Sequence, residues 1–347
     1  MDANEYFQYI EETSKLALKG VFEEIGMIGE PTLEIFAEAY FKERMLRPWA
    51  QRCNVMRASY EAVAPTKNWQ EIIDGLIGIE LWFMADHLTN DVFDKKYARN
   101  PELTSRFGID PNMYFITSAI LREKSEKCFR HCAKKVNPKR ENEVVEIFNR
   151  IVEEAYLHQW LDYHDLKINR IGFNELKAKK KDIFMRRYID YEAGNQFGKI
   201  AKIPAILSEA PIEEVNALEQ YGRILSTTIQ LTNDIADLGD EWFYDRENGI
   251  LTWPLIAVSL EVGKYCYDMP QKQIREIYVE KGLFKEHKRL IKKYVNEAKK
   301  HLRKIFPKER RAALECMLVS STCNRFYSLT PKYDKTYKVM PAQIKSK

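Results

Sequence analysis

Two short polar stripes interrupt two of the most apolar stretches of the chain. In IELWFMADHLTNDVFDKK, Asp86, Asn90 and Asp94 are spaced i, i+4 and i+8, and Asp91 stands one step off that line. At about 100° per residue such a triplet drifts by only roughly 80°, so it shares one helix face. In QLTNDIADLGDEW, Asn233, Asp237 and Glu241 repeat the spacing. Carboxylates in apolar surroundings need a partner, a metal or a changed protonation state. Hard divalent cations suit these donors, because Mg²⁺ binds oxygens and is commonly shared between one or two carboxylates and substrate phosphates. Two such helices face to face would hold Mg²⁺ around a diphosphate and neutralise its charge as it leaves. The plain alternative is a pair of solvent-facing acidic helices. A single N-D-x-x-D favours that alternative; two on strongly apolar helices favour a site.

These segments carry a resemblance. NDIADLGDE (233–241) resembles the metal-binding motif of class I terpene synthases, and WFMADHLTND (82–91) resembles their aspartate-rich motif. That family has an arginine 46 residues before the Asn of the second motif, and residue 187 is Arg. FYSLTPKY (326–333) is similar to its C-terminal W-x-x-x-T-x-R-Y, through Phe326, Thr330, Lys332 and Tyr333. The resemblance implies that Arg187 senses the diphosphate, with Asp190 as linker and Tyr191 as effector. It implies that Lys332 and Tyr333 close over the departing group. It assigns Mg²⁺, as three ions with the substrate diphosphate, to Asp86, Asn90 and Asp91 on one side and Asn233, Asp237 and Glu241 on the other. The departures are His87 for the second aspartate, Asn90 for the last acid, Asp237 for Ser or Thr, Lys332 for Arg, and Asp240 at a frequent Lys position.

A second register is present. NDVFD (90–94) reads as the D-D-x-x-D of the trans-prenyl diphosphate synthases, a cousin family. ERMLRPW (43–49), HQWLD (158–162) and the helix 217–237 resemble further segments of it. Its basic groups for isopentenyl diphosphate are eroded: Phe83 falls where it has His, and Ile250 near an expected Lys. The expected reaction is metal-dependent ionisation of a geranyl, farnesyl or geranylgeranyl diphosphate, followed by cyclisation to a terpene. The alternatives are transfer of the allylic cation to an acceptor such as an amine or indole, chain elongation, and a helical binding protein with an inactive site. Phe83, Tyr156, Trp160 and Phe326 are expected to line an aromatic pocket, where ring faces stabilise carbocations. Trp82 and Trp242 read equally as packing residues.

The elements that must position these groups are helices. Apolar residues recur at three and four through 69–99, 142–165, 181–202, 212–240 and 308–327, and hairpin-type alternation is missing. Prolines separate helices rather than domains, and no repeat or linker stands out. The expected fold is all-α: residues 1–347 form one class I isoprenoid synthase-like bundle around a central apolar cavity.

Composition narrows the function classes. Glycine is 14 of 347 residues, about half its usual share of roughly 7%, and no glycine-rich phosphate loop occurs. A net charge of +4 with mixed signs does not mark a nucleic-acid binder. Mean hydropathy is −0.47, and no run approaches the ~18 apolar residues of a membrane span. The acidic start MDANEYFQYIEETSK lacks a secretory pattern, so a cytoplasmic protein is expected, with a homodimer as a possible state. Cys128, His131 and Cys132 share a helix, but no second pair completes a tetrahedral metal set, so they read as core.

Overall fold

Among the described residues the apolar periods build fifteen α-helices. They are α1 (Ala3–Ile25), α2 (Pro31–Arg44), α3 (Arg52–Val63), α4 (Ile73–Phe93), α5 (Pro101–Phe107), α6 (Pro111–Val136), α7 (Glu141–Trp160) and α8 (Phe173–Phe184). Then follow α9 (Ala193–Leu207), α10 (Ile212–Asp237), α11 (Tyr244–Glu247), α12 (Trp253–Val262), α13 (Gln271–Glu280), α14 (Leu283–Ile305) and α15 (Lys308–Leu318). The structure is a computed structural model that describes residues 1–44, 52–94, 101–108, 110–190, 193–238 and 244–320. Among these residues the only β feature is one isolated antiparallel bridge, Lys167 to Ile250. No described helix is long and apolar enough to cross a membrane.

The central element is α4. Leu76, Ile79, Leu81, Trp82, Met84, Ala85 and Leu88 point in successive directions around it and all are buried, as expected of a helix that is apolar nearly all round. It is shorter than the 69–99 period suggests. A 3₁₀ turn, Trp69–Ile72, leads into it, capped by Asn68, whose side chain accepts from the Gln70 amide at 3.0 Å. Helices α1, α3 and α6 pack around it. Close approach of α6 depends on small residues. A Cβ on Gly78 would lie 3.0 Å from Cys128 Cβ and 3.1 Å from the Ser125 carbonyl. Ser125 Oγ donates to the Gly78 carbonyl at 2.6 Å. Cys128 and Cys132 are buried in this seam, and burial pushes both thiols up to about 12.

A second tight pair is α9 and α10. A Cβ on Gly222 would meet the Phe197 carbonyl oxygen at 2.2 Å, so only glycine fits there. Helix α14 covers α10 from outside, burying Ile291, Val295, Ala298 and Leu302 at helical spacing and leaving its basic residues in water.

The expected helix 142–165 is α7 continued by a π-helical turn, Leu161–Asp165. The expected helix 181–202 is divided: α8 ends at Phe184, a second π turn spans Met185–Asp190, and α9 begins at Ala193. The last expected helix, 308–327, is α15 to Leu318, and residues from 321 on lie outside the described residues.

Gly222→Ala forces α9 and α10 apart by overpacking, which typically costs about 1–3 kcal/mol. Urea unfolding is expected to show a lower midpoint with an unchanged slope, and an unchanged midpoint would refute the close crossing.

Candidate functional site

On α4, Asp86, Asn90 and Asp94 are all half-buried, as a shared face requires, whereas Asp91 is buried. Their partners differ. Asn90 Oδ1 accepts the amide of Gln159 on α7. Asp91 accepts from Tyr40 Oη on α2 at 2.9 Å. Asp94 accepts from the Tyr163 hydroxyl in the first π turn. Burial raises the Asp86 pKa, opposed by the positive charges of Arg52 and His158. His87 does not act as a second acid: its Nδ1 bonds the Phe83 carbonyl at 3.0 Å, which makes it the donor, and its ring packs edge-on to Phe83.

The two π turns carry the next layer. A π turn fits an extra residue into a helical turn and shifts the following side chains around the axis. The first turn holds Asp162, and the second holds Arg187 and Tyr188. Arg187 is 2% exposed and its Nη1 donates to Asp162 Oδ1, while its Nε lies 4.0 Å from Asp234 Oδ2 on α10. His158 Nε2 lies 3.5 Å from the other Asp162 oxygen. Asp234, 2% exposed, also takes the Tyr188 hydroxyl and the Gln230 amide, the latter at 2.9 Å. Tyr188 Oη in turn accepts from the Trp253 amide at 2.8 Å, which ties α12 to the same point. The α4 stripe is thus joined to the α10 stripe through α7 and the π turns: Asn90 to Gln159, and three residues on, Asp162 to Arg187 to Asp234.

On α10, Asn233 and Asp237 are half-buried and one turn apart. Asn233 Oδ1 is buried and has no hydrogen-bond donor among the described residues. Glu241, Tyr191, Lys332 and Tyr333 lie outside the described residues, as do Phe326 and Trp242, and of Asp190 only the backbone is described. No group of three or more His, Cys, Asp or Glu side chains gathers among the described residues. The donorless amide oxygen of Asn233, with Asp237 beside it, suits a hard divalent ion.

The aromatic lining expected from sequence is corrected at two positions. Tyr156 and Trp160 are 42% and 56% exposed, and Trp160 stacks on His164 at the surface. Their turns of α7 face outward, where Phe93, Phe115, Ile116 and Leu157 are also exposed. Trp82 is a packing residue, set edge-on to Phe148 and 1% exposed. Phe83 remains inside, half-buried, with the Arg52 guanidinium 3.2 Å over its ring.

The chain matches no family model and no curated protein sequence. Solved structures match over nearly its whole length. The geranylgeranyl pyrophosphate synthetase from Pyrococcus horikoshii Ot3 aligns with a TM-score of 0.69 at 20% identity, covering 92% of this chain and 98% of that one. The geranylgeranyl pyrophosphate synthetase from Geoglobus acetivorans aligns with a TM-score of 0.71 at 19% identity, covering 91% and 98%. The fold is that of the trans-prenyl diphosphate synthases. A third structure with the prenyl-synthase fold is the geranylgeranyl pyrophosphate synthase from Corynebacterium glutamicum, complexed with isoprenyl diphosphate and magnesium; its TM-score is 0.66 at 15% identity, covering 93% and 99%.

Asp162, Gln159, Asp234, Tyr188 and Arg52 were not singled out from sequence. Asp162 and Asp234 sit inside quoted motifs, but only tertiary contact shows that they hold Arg187. Arg52 carries no sequence signal at all.

Removing one partner of a buried ion pair strands the other charge and costs about 3–5 kcal/mol. Asp162→Ala is expected to lose that much in urea unfolding, and Asp162→Ala combined with Arg187→Met to recover part of it. Strict additivity of the two changes would exclude the coupling.

Proposed function

We propose that the chain is an Mg²⁺-dependent enzyme that ionises a linear allylic prenyl diphosphate between the α4 and α10 stripes. The observation that carries this reading is Asn233 Oδ1, a buried acceptor lacking a donor among the described residues. It sits next to Asp234, which helps hold Arg187 in place. Asn233, Asp237 and Glu241 on one side, and Asp86, Asn90 and Asp91 on the other, would hold the ions. Bound Mg²⁺ supplies charge neutralisation at the leaving diphosphate.

The chain's own residues do the rest. Arg187 offers a planar fork of donors to phosphate oxygens, fixed in place by Asp162 and Asp234. Asp190 and Tyr191 act beside it, and Lys332 and Tyr333 close the mouth and exclude water. The C1–O bond breaks with its electron pair leaving on diphosphate. Cyclisation then uses the substrate's own double bonds. A second reading, transfer to an external acceptor, is favoured by one observation, the buried Arg52 cation beside Phe83. Chain elongation is the form of transfer in which that acceptor is isopentenyl diphosphate.

The test is diphosphate release from geranyl, farnesyl and geranylgeranyl diphosphate with and without Mg²⁺, with mass spectrometry of the products. Release is expected to require Mg²⁺. It should fall roughly 10²–10³-fold in Asn233→Leu and Arg187→Ala, the scale of losing one aligned electrostatic group. No Mg²⁺-dependent release with any of the three would refute the reading. A cyclic hydrocarbon or alcohol would select cyclisation.

A further inference from the structure

Positive charge is concentrated on one helix. Helix α14 carries seven Lys and two Arg against two Glu. That surplus exceeds the net charge of +4 of the whole chain, so the remaining residues together are net acidic. The buried residues of α14, among them Phe284, Ile291, Val295 and Leu302, lie on the side packed against α10. At about 100° per residue, Lys285, Arg289, Lys292, Lys293, Lys300 and Lys304 fall within an arc of roughly 120° on the opposite side. All six are exposed. Glu286 and Glu297 stand together at one margin of that arc. At 1.5 Å per residue the arc runs for about 29 Å.

Other outer helices of this chain pair their charges at i, i+4. Lys19 meets Glu23 in α1, Lys42 meets Glu38 in α2, Arg130 meets Glu126 in α6, and Arg150 meets Glu146 in α7. Opposite signs at that spacing stabilise a helix and like signs destabilise it. Helix α14 stacks like signs: Lys285, Arg289 and Lys293 follow one another at i, i+4, as do Lys300 and Lys304. None of the six arc residues forms an ion pair among the described residues. A face that only has to be wet does not require this pattern. It opposes the helix in isolation and is relieved by an extended negative surface.

The arc begins level with the candidate site. His287 packs on Trp253, whose amide donates to Tyr188 Oη beside Asp234. Just past the other end of α14, Arg310 pairs with Glu214 in the first turn of α10 at 2.9 Å. Helix α14 therefore runs antiparallel to α10, and its first turns lie at the end of α10 that carries Asn233 and Asp237.

Three features choose among negative surfaces. The arc is mostly Lys, a strongly hydrated point charge, rather than the Arg fork that reads individual phosphates. No aromatic residue stands in it, so nucleic-acid bases would find no stacking partner. The apolar side of α14 is already used against α10, so the helix lies flat on the protein with only charge to offer. Lys-rich segments of this kind are attracted by the negative potential of anionic phospholipids, within about a Debye length of the headgroups.

We propose that the outer face of α14 docks the protein on an anionic phospholipid membrane surface, by charge and without insertion. The inference goes beyond the ionisation reading and stands without it. If that reading holds, the substrate is an amphiphile that partitions to the same surface.

The experiment is sedimentation of the full chain with vesicles of phosphatidylcholine alone, or with one-third phosphatidylserine. The variants are Arg289→Gln/Lys293→Gln/Lys300→Gln and, as a control of equal charge change, Lys177→Gln/Lys180→Gln/Lys181→Gln on the exposed side of α8. Thermal unfolding checks folding, and the α14 variant is expected to melt no lower than wild type because repulsion is relieved. Wild type is expected to bind the phosphatidylserine vesicles and not the neutral ones, with binding falling at least 10-fold on raising NaCl from about 0.1 to about 0.5 M. Each basic residue at such a surface is worth roughly fivefold, so the α14 variant is expected to lose at least 10-fold and the α8 variant less than twofold. Equal binding to neutral vesicles, no binding to either, or an equal loss in the α8 variant overturns the proposal. So does tighter binding to a short DNA duplex than to vesicles at equal phosphate concentration.

Discussion

The buried pairing of Arg187 with Asp162, backed by Asp234, is the contact on which the candidate site depends. Three separate elements meet there: the end of α7, the turn after α8, and α10. A charge that far from water is tolerable only while its partners stay in place. The same contact therefore fixes the relative setting of the two polar stripes. Tyr188 extends it to the start of α12 through the Trp253 amide. The surrounding apolar packing sets how close the helices come, and this polar cluster sets which way they are turned.

Close packing does its part through residues that are nearly absent as side chains. Gly78 lets α6 settle on α4, and Gly222 lets α9 settle on α10. The second crossing also fixes the backbone of Phe197, whose ring lies beside Arg52. Glycine is scarce in this chain, yet two of its glycines stand where helices touch backbone to backbone or nearly so.

Much of the fold was legible in the sequence because helical periodicity is a local property. The all-helical architecture, the buried nature of α4 and the positions of α7 and α10 all follow from spacing. The shared face of Asp86, Asn90 and Asp94 was legible for the same reason. What escaped was everything that depends on a break in regularity or on distant pairing. The period through 181–202 runs on smoothly, and nothing in it announces a π turn at Met185–Asp190. Asp234 differs from Asn233 by one position and about 100°, and only the neighbouring elements decide that it turns inward to Tyr188. Tyr156 and Trp160 fit an inner aromatic wall by type, but α7 presents those turns outward.

The π turns bear on how the chain tolerates change in length. In an ordinary α-helix, loss of one residue rotates everything beyond it by about 100° and scrambles the packed face. A π turn already contains the surplus residue. Deleting one position within Met185–Asp190 would therefore leave a regular turn at the end of α8. The side chain lost from register would be Arg187 itself. Register and chemistry part at that point: a chain one residue shorter there regains a regular turn, but Asp162 and Asp234 lose the cation that sets the two stripes against each other.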